Sequence, residues 1–395
     1  MTTSLIEFPG LEHGRRGAPR LRVLVVTESF LPQINGVTNS VCRVLEHLSD
    51  HGHVAELVAP TGPESYAGFP VTRTPSRALP FYADFRIGLA SRNRLRAIMI
   101  RFRPDVVHVA SPAVLGYQAL GVAEDLGIPT VAIYQTDLVG FAGRYAIPGG
   151  SRAMARLTRR VHARVDRTLA PSRASLQQLA GIGVPNVSLW PRGVDLEAFH
   201  PSRRDEEWRR RIAPDGRLLV GYVGRLAAEK QLDLLQRLDG DPRYRLVLVG
   251  EGPDGDRLRS LLPDAVFTGL LHGKALGRAY ASLDLFVHTG AHETYCQSAQ
   301  EALASGVPVV APAAGGLLDV VADPGHGLLY PPGDADELVR LVDGLVENPL
   351  LRRTMGHDAR RAVLGRSWPS VMQALVAHYR DVTGIATLEQ PPMAG

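Results

Sequence analysis

Apolar residues along this chain come in short continuous runs, each followed by a turn of small residues and then a stretch with helical spacing. In the first half the runs fall at 22–27, 54–59, 106–110, 130–134, 167–170 and 187–190. In the second half they fall at 218–223, 245–249, 265–267, 285–288, 309–311 and 327–329. Val and Leu run on without strict alternation, which predicts strands covered on both faces, as in parallel sheets. Helical periodicity fills the gaps, for example over 37–50, 114–126 and 152–165, and returns at 369–382.

A charged, proline-bounded segment, FHPSRRDEEWRRRIAPDG at 199–216, separates the two sets and reads as a connector holding a short helix. The expected fold is α/β, with two facing Rossmann-like doubly wound domains at 21–198 and 199–366. A C-terminal helix at 367–384 follows, and 1–20 and 385–395 are expected to be flexible. Such domains turn the carboxyl ends of both sheets toward one cleft.

The length of 395 residues suits two cores better than one. A hydrophobic fraction of 45% and a charged fraction of 21% describe a globular chain. No apolar run approaches the roughly 20 residues of a spanning helix, and the N-terminus lacks a signal-peptide stretch. Cys42 and Cys296 are too far apart in sequence to frame a metal, and two cysteines fit a reduced cytosol. Net charge is only +4, yet arginines cluster. Six lie within 86–103 with no acid among them, and eight lie within 144–173 against Asp166 alone. Solvated helix faces explain such runs as often as an anionic membrane surface does. Nucleic acid is not expected, because no recognition motif or aromatic platform accompanies them. Of 44 basic residues only Lys230 and Lys274 are lysines, which draws attention to both.

The segment 288–316, HTGAHETYCQSAQEALASGVPVVAPAAGG, carries the most chemistry. A strand leads through a turn into a helix, and a second strand ends at Gly315-Gly316. Glu293 precedes the helix and Glu301 lies two turns inside it. A helix start offers unpaired amides to an anion, and flanking carboxylates can accept bonds from sugar hydroxyls on either side. Phosphate between two hydroxylated ends describes a nucleotide-diphospho-sugar. Alone, such a glutamate pair would more often be ordinary solvated helix; the Gly-flanked frame favours the site.

Across the cleft, Asn35-Gly36 follows the first strand; taken alone it is a common strand-to-helix turn, but paired with a second anion site, positive φ there would let amides approach a diphosphate. The strand at 218–223 leads to Arg225 and Lys230, suited to a departing diphosphate; the competing reading is a surface pair of Lys230 with Glu229 or Asp233. Asp334 and Asp336 form an Asp-x-Asp after prolines, where helix capping is expected over metal binding, as for Asp254 and Asp256. No metal or other cofactor is expected. His108 closes a strand at an expected sheet edge, either lining the cleft or satisfied internally. His292 shapes the turn beside Glu293.

Taken together these residues resemble the retaining nucleotide-sugar glycosyltransferases of family four, of GT-B architecture, over about 21–382. ESFLPQINGV, VAIYQTDLVGFAGRY, HETYCQSAQEALASG and VLGRSWP resemble the GDP-mannose-dependent α-mannosyltransferases of actinobacteria that act on glycolipids. The resemblance implies that Glu293 holds mannose hydroxyls and Glu301 the ribose. It implies that amides around Thr294, Tyr295, Cys296 and Gln297 meet sugar and phosphate, that Gly36 forms the glycine loop, and that Arg225 and Lys230 stabilise departing GDP. Many relatives have a histidine near the anomeric carbon where this chain has Gln135 within Tyr134-Gln135-Thr136-Asp137. Either Gln135 positions the sugar or Asp137 acts nearby. The implied partners are a sugar-nucleotide donor, a lipid-linked acceptor of the glucuronosyl-diacylglycerol or phosphatidylinositol-mannoside type, and the inner face of the membrane. Alternatives are a sugar-nucleotide 2-epimerase, transfer from a UDP-sugar, and a catalytically silent binding module.

Overall fold

β1 (Arg22–Val26) is flanked on both sides by parallel partners, β2 (Val54–Ala59) and β7 (Val106–Val109). The computed structural model describes residues 19–33, 35–79, 82–135, 150–322 and 324–385. The first sheet continues through β8 (Thr130–Ile133), β9 (Arg167–Ala170) and β10 (Val187–Leu189) on one side. On the other it reaches β4 (Phe69–Arg73) and the short antiparallel β3 (Ser65–Tyr66). β5 (Ser76–Leu79) and β6 (Tyr82–Gly88) form a separate hairpin. These four short strands were not expected from sequence. Gly68 and Pro70 interrupt the apolar pattern, and a proline is tolerated only near such an edge.

The second sheet is parallel throughout, in the order β13-β12-β11-β14-β15-β16. Its strands are β11 (Leu218–Val223), β12 (Tyr244–Val249), β13 (Val266–Gly269), β14 (Leu285–Val287), β15 (Val309–Pro312) and β16 (Gly327–Tyr330). Each sheet separates two apolar layers, and the unbroken Val/Leu runs are buried on both faces.

The last helix, Trp368–Thr383, crosses back from the second domain to the first. Trp368, Val371, Met372, Leu375, Val376 and Tyr379 complete the same apolar layer as Val23, Val25 and Val131. Trp190 Nε1 donates to the Val371 carbonyl at 2.9 Å, fixing the crossing. His108 is explained by this helix. Its ring is 1% exposed and its Nδ1 lies 2.6 Å from the Tyr379 hydroxyl. β7 lies inside the sheet rather than at its edge, so His108 is an internally satisfied histidine, not a cleft residue.

The carboxyl ends of the two sheets meet. Ser175, beyond β9, donates to the Thr294 carbonyl beyond β14 at 3.4 Å. The Arg173 amide donates to Asp319, beyond β15, at 2.6 Å. Among the described residues no helix is long and apolar enough to cross a membrane.

Candidate active site

β11 and β14 are neighbours, so the turns that leave their carboxyl ends emerge side by side. The Thr289 hydroxyl donates to the Lys230 carbonyl at 2.6 Å, and the Ala291 amide donates to Gln231 Oε1 at 3.2 Å. Tied in this way, the turns bring Lys230 Nζ to 2.5 Å from Glu293 Oε1. The partner of Lys230 is therefore Glu293, not Glu229 or Asp233. His288 Nε2 reaches the same oxygen at 3.1 Å.

All three side chains are largely withdrawn from solvent: 2% exposed for His288, 17% for Glu293 and 23% for Lys230. Burial alone would push the Glu293 carboxyl up, but Lys230 and His288 outweigh it and hold the carboxyl well below its usual range. Burial opposes the Lys230 charge, and Glu293 overcomes that too, leaving the lysine raised. His288 is also desolvated, yet Cys296 and Glu293 raise it to about 10. At neutral pH Lys230 and His288 therefore both face the Glu293 carboxylate as cations.

From sequence alone His288 is the last residue of a strand, with no role. A histidine ending an otherwise apolar run, five residues before Glu293, was the available signal. His288, Glu293 and Cys296 are also the one group among the described residues with metal-type donors, within 4.8 Å of one another. The Lys230 ammonium contacts the Glu293 carboxylate of that group.

The helix Gln297–Ala304 begins immediately after this cluster. Its cap residue, Cys296, is left-handed at φ 76 and no side chain caps the first turn. A non-glycine residue there carries strain of about 1–2 kcal/mol. Gly315-Gly316 packs directly beneath the turn. A Cβ on Gly315 would lie 2.4 Å from the Glu293 carbonyl, and one on Gly316 would lie 2.4 Å from Tyr295 Cα. Only glycine permits that approach, and the Gly316 amide uses it to donate to the Glu293 carbonyl at 2.8 Å.

The opposite bank is built differently from expectation. Asn35 is extended at φ −152, and its Oδ1 accepts from the amides of Val37 and Thr38 at 3.0 Å each. Gly36 has no positive φ. The first amides of the helix Gly36–Asp50 are thus occupied by the protein's own cap instead of facing a ligand. Gln135 Nε2 donates to the Ala110 carbonyl at 3.0 Å, and its Oε1 accepts from Arg192 at 2.6 Å. Its carbonyl accepts from the Thr294 hydroxyl at 3.4 Å, joining the banks. Thr136 and Asp137 lie outside the described residues.

Glu301 sits on the helix with its carboxyl facing Tyr280 and Gln297, and burial raises it to about 7. Arg225 stands past the end of β11, half exposed, 4.0 Å from Glu229. Gln297 Nε2 donates to the Gly193 carbonyl at 2.9 Å and Tyr295 donates to the Arg192 carbonyl at 3.4 Å, so both brace the interdomain linker.

Asp334 caps its helix through Glu337 N. Asp254 and Asp256 do not cap; they pair with Arg257 at 3.0 Å and Arg259 at 3.1 Å. The first arginine run is partly neutralised by acids distant in sequence. Arg92 and Arg96 meet Asp125, and Arg101 meets Glu56. On the helix Gly150–His162, Arg152, Arg156, Arg159 and Arg160 are exposed beside Leu157.

The family described as Glycosyltransferase Family 4 matches residues 34–198, and Glycosyl transferases group 1 matches 204–362. A GDP-mannose-dependent alpha-mannosyltransferase of Mycobacterium tuberculosis is 50% identical over 93% of this chain and 99% of its own length. A GDP-mannose-dependent alpha-(1-6)-phosphatidylinositol dimannoside mannosyltransferase of the same species is 28% identical over 77% of this chain and 83% of its own. Among solved structures, Anabaena HepE in complex with UDP superposes with a TM-score of 0.75 at 17% identity. That match covers 91% of this chain and all of the other, and speaks for the fold.

Proposed function

Because this chain belongs to glycosyltransferase family 4, we propose that it transfers α-mannose from GDP-mannose to a lipid-linked sugar acceptor, with the anomeric configuration retained. The observation that carries the reading is the Lys230–Glu293–His288 cluster at the mouth of an uncapped helix. Its Lys230 ammonium and the amides at the start of the helix suit a diphosphate whose charge grows as the glycosidic bond breaks. Among the described residues both side-chain hydrogen bonds of Glu293 fall on Oε1, so Oε2 serves the mannose hydroxyls. Held ionised by two cations, Glu293 accepts those hydrogen bonds without needing to lose a proton first. Arg225 joins Lys230 on the leaving group, and Glu301 receives the ribose.

Attack comes from the face the diphosphate leaves, so electrostatic support of the leaving group and alignment of the acceptor hydroxyl supply the rate. Gln135, locked by Ala110 and Arg192, shapes the sugar pocket and moves no proton. GDP as the nucleotide is supported by the 50% identical relative. A lipid acceptor, of the glucuronosyl-diacylglycerol or phosphatidylinositol-mannoside type, is supported by the second relative and by the exposed arginine face of the helix Gly150–His162. That face would bind the anionic inner leaflet.

The test is incubation of purified protein with GDP-mannose and glucuronosyl-diacylglycerol, or a lipid extract, followed by mass analysis of the lipids. No mannosylated lipid from any acceptor would reject the reading. Sedimentation with anionic vesicles at low and high salt tests the membrane face; pelleting that ignores salt would contradict it.

A further inference from the structure

Arg192 lies in the linker where the chain leaves β10, and the two domains grip it at opposite ends. Its carbonyl accepts from the Tyr295 hydroxyl at 3.4 Å and from Gln300 Nε2 at 2.9 Å, both in the second domain. Its guanidinium reaches into the first domain. Nη1 donates to the Gly36 carbonyl at 2.8 Å and Nη2 to Gln135 Oε1 at 2.6 Å.

Both acceptors are neutral. A guanidinium has five N–H donors, so two bonds leave others unused. Among the described residues no carboxylate pairs with it, and Tyr295 is the one ionisable group that acts on it. Arg192 is partly buried, and desolvation pushes its guanidinium down to about 10. Beside it Gly36 is exposed and leaves space: a Cβ there would meet nothing nearer than Nη2 at 3.9 Å.

A partly desolvated cation that meets only neutral acceptors gains from a ligand anion. The planar fork suits carboxylate and phosphate oxygens. Lys230, by contrast, already has its carboxylate in Glu293.

From this juxtaposition we propose that Arg192 is a substrate-anion receptor, whose unused N–H groups bind a carboxylate of the acceptor sugar or a phosphate oxygen of the donor. The inference rests on the glycosyl-transfer reading above. It adds a cation that faces the reacting sugar from the bank opposite Lys230.

Arg192→Gln and wild-type protein are compared in three measurements: GDP binding by calorimetry, and initial rates with glucuronosyl-diacylglycerol and with glucosyl-diacylglycerol. If the anion is the acceptor carboxylate, KM for the glucuronosyl lipid rises roughly tenfold, as for loss of one charge-assisted fork, and GDP binding and the glucosyl lipid stay unchanged. If it is the donor phosphate, GDP binding weakens roughly tenfold and both lipids suffer alike.

Unchanged GDP affinity together with an unchanged KM for both lipids overturns the inference. So does a fall in kcat alone, equal for both lipids, since that marks a residue that only braces Gly36 and Gln135. Should the glutamine variant not fold, nuclear magnetic resonance titration of wild-type protein with methyl glucuronide, methyl glucoside and GDP decides instead. Binding of the glucuronide and glucoside with equal affinity, and GDP binding that leaves the Arg192 side-chain N–H signals unmoved, would overturn it. A wild type that transfers no mannose sinks the preceding reading, and these titrations still judge Arg192.

Discussion

Two helices open onto the cleft from opposite banks, and their first turns are finished in opposite ways. Asn35 closes the start of Gly36–Asp50 with its own side chain, taking the amides of Val37 and Thr38. Cys296 leaves the start of Gln297–Ala304 without a side-chain cap. A third helix, Val114–Leu126, shows a remote version of the first solution. Glu28, 1% exposed beyond β1, accepts from the Leu115 amide, so its carboxylate stands where a ligand anion would. A strand–turn–helix unit therefore becomes an anion site only where the protein withholds its own acceptor. The first-domain bank has spent its amides on Asn35 and holds Arg192; the second-domain bank leaves its first turn without a side-chain cap and holds Lys230.

Glu293→Ala attacks the open bank hardest. We expect kcat/KM to fall roughly 10²–10³-fold or more, as for loss of a group that acts in the transition state. Stability should also drop by about 3–5 kcal/mol because Lys230 is left buried and unpaired. Initial rates and chemical denaturation check both, and full turnover would remove Glu293 from the site.

Cys296→Asp would set a carboxylate at the mouth of the open helix. GDP affinity should weaken roughly tenfold, because the new carboxylate competes for the amides and repels phosphate. Calorimetry reads this directly. Unchanged affinity would mean that the amides never met the diphosphate.

The reverse experiment, Asn35→Ala, should cost about 0.5–2 kcal/mol of stability, the usual value of such a cap. GDP affinity should hardly move, since the exposed amides face a bank served by Arg192. A large loss of affinity would erase the distinction between the banks.

The smallest effect concerns Glu301. Its carboxyl is raised from 4.5 to about 7 by burial, so the folded state keeps a proton that the unfolded chain has released. The associated stability is present below about pH 4.5 and is lost as the pH rises through 7. Glu301→Gln should flatten that decline in melting temperature between pH 5 and pH 8. An unaltered slope would show that Glu301 titrates normally.

The strands that carry the site were legible because strands buried on both faces have a plain Val/Leu signature. Lys230 stood out because the chain holds only two lysines, and Glu293 because of the glycines around it. What could not be read depends on contacts between distant segments. His108 is settled by Tyr379, 271 residues away. Arg192 gains meaning only when Gly36 and Gln135 converge on it, and the pairing of Arg92 and Arg96 with Asp125 appears only once their helices pack. Asn35 is different. Its residue type announces a cap, and the simple strand-to-helix turn is what the structure shows there.

The helix Trp368–Thr383 also has a consequence for how the protein is born. Trp190 closes the first domain's own sequence, yet the groove it lines is filled by Val371 and its neighbours, roughly 180 residues later. At about 5–20 residues per second, a ribosome needs some 10–40 s to cover that stretch. Throughout that interval an apolar furrow on the nascent first half stays open to water and to chaperones, and the final turns of the polypeptide seal it.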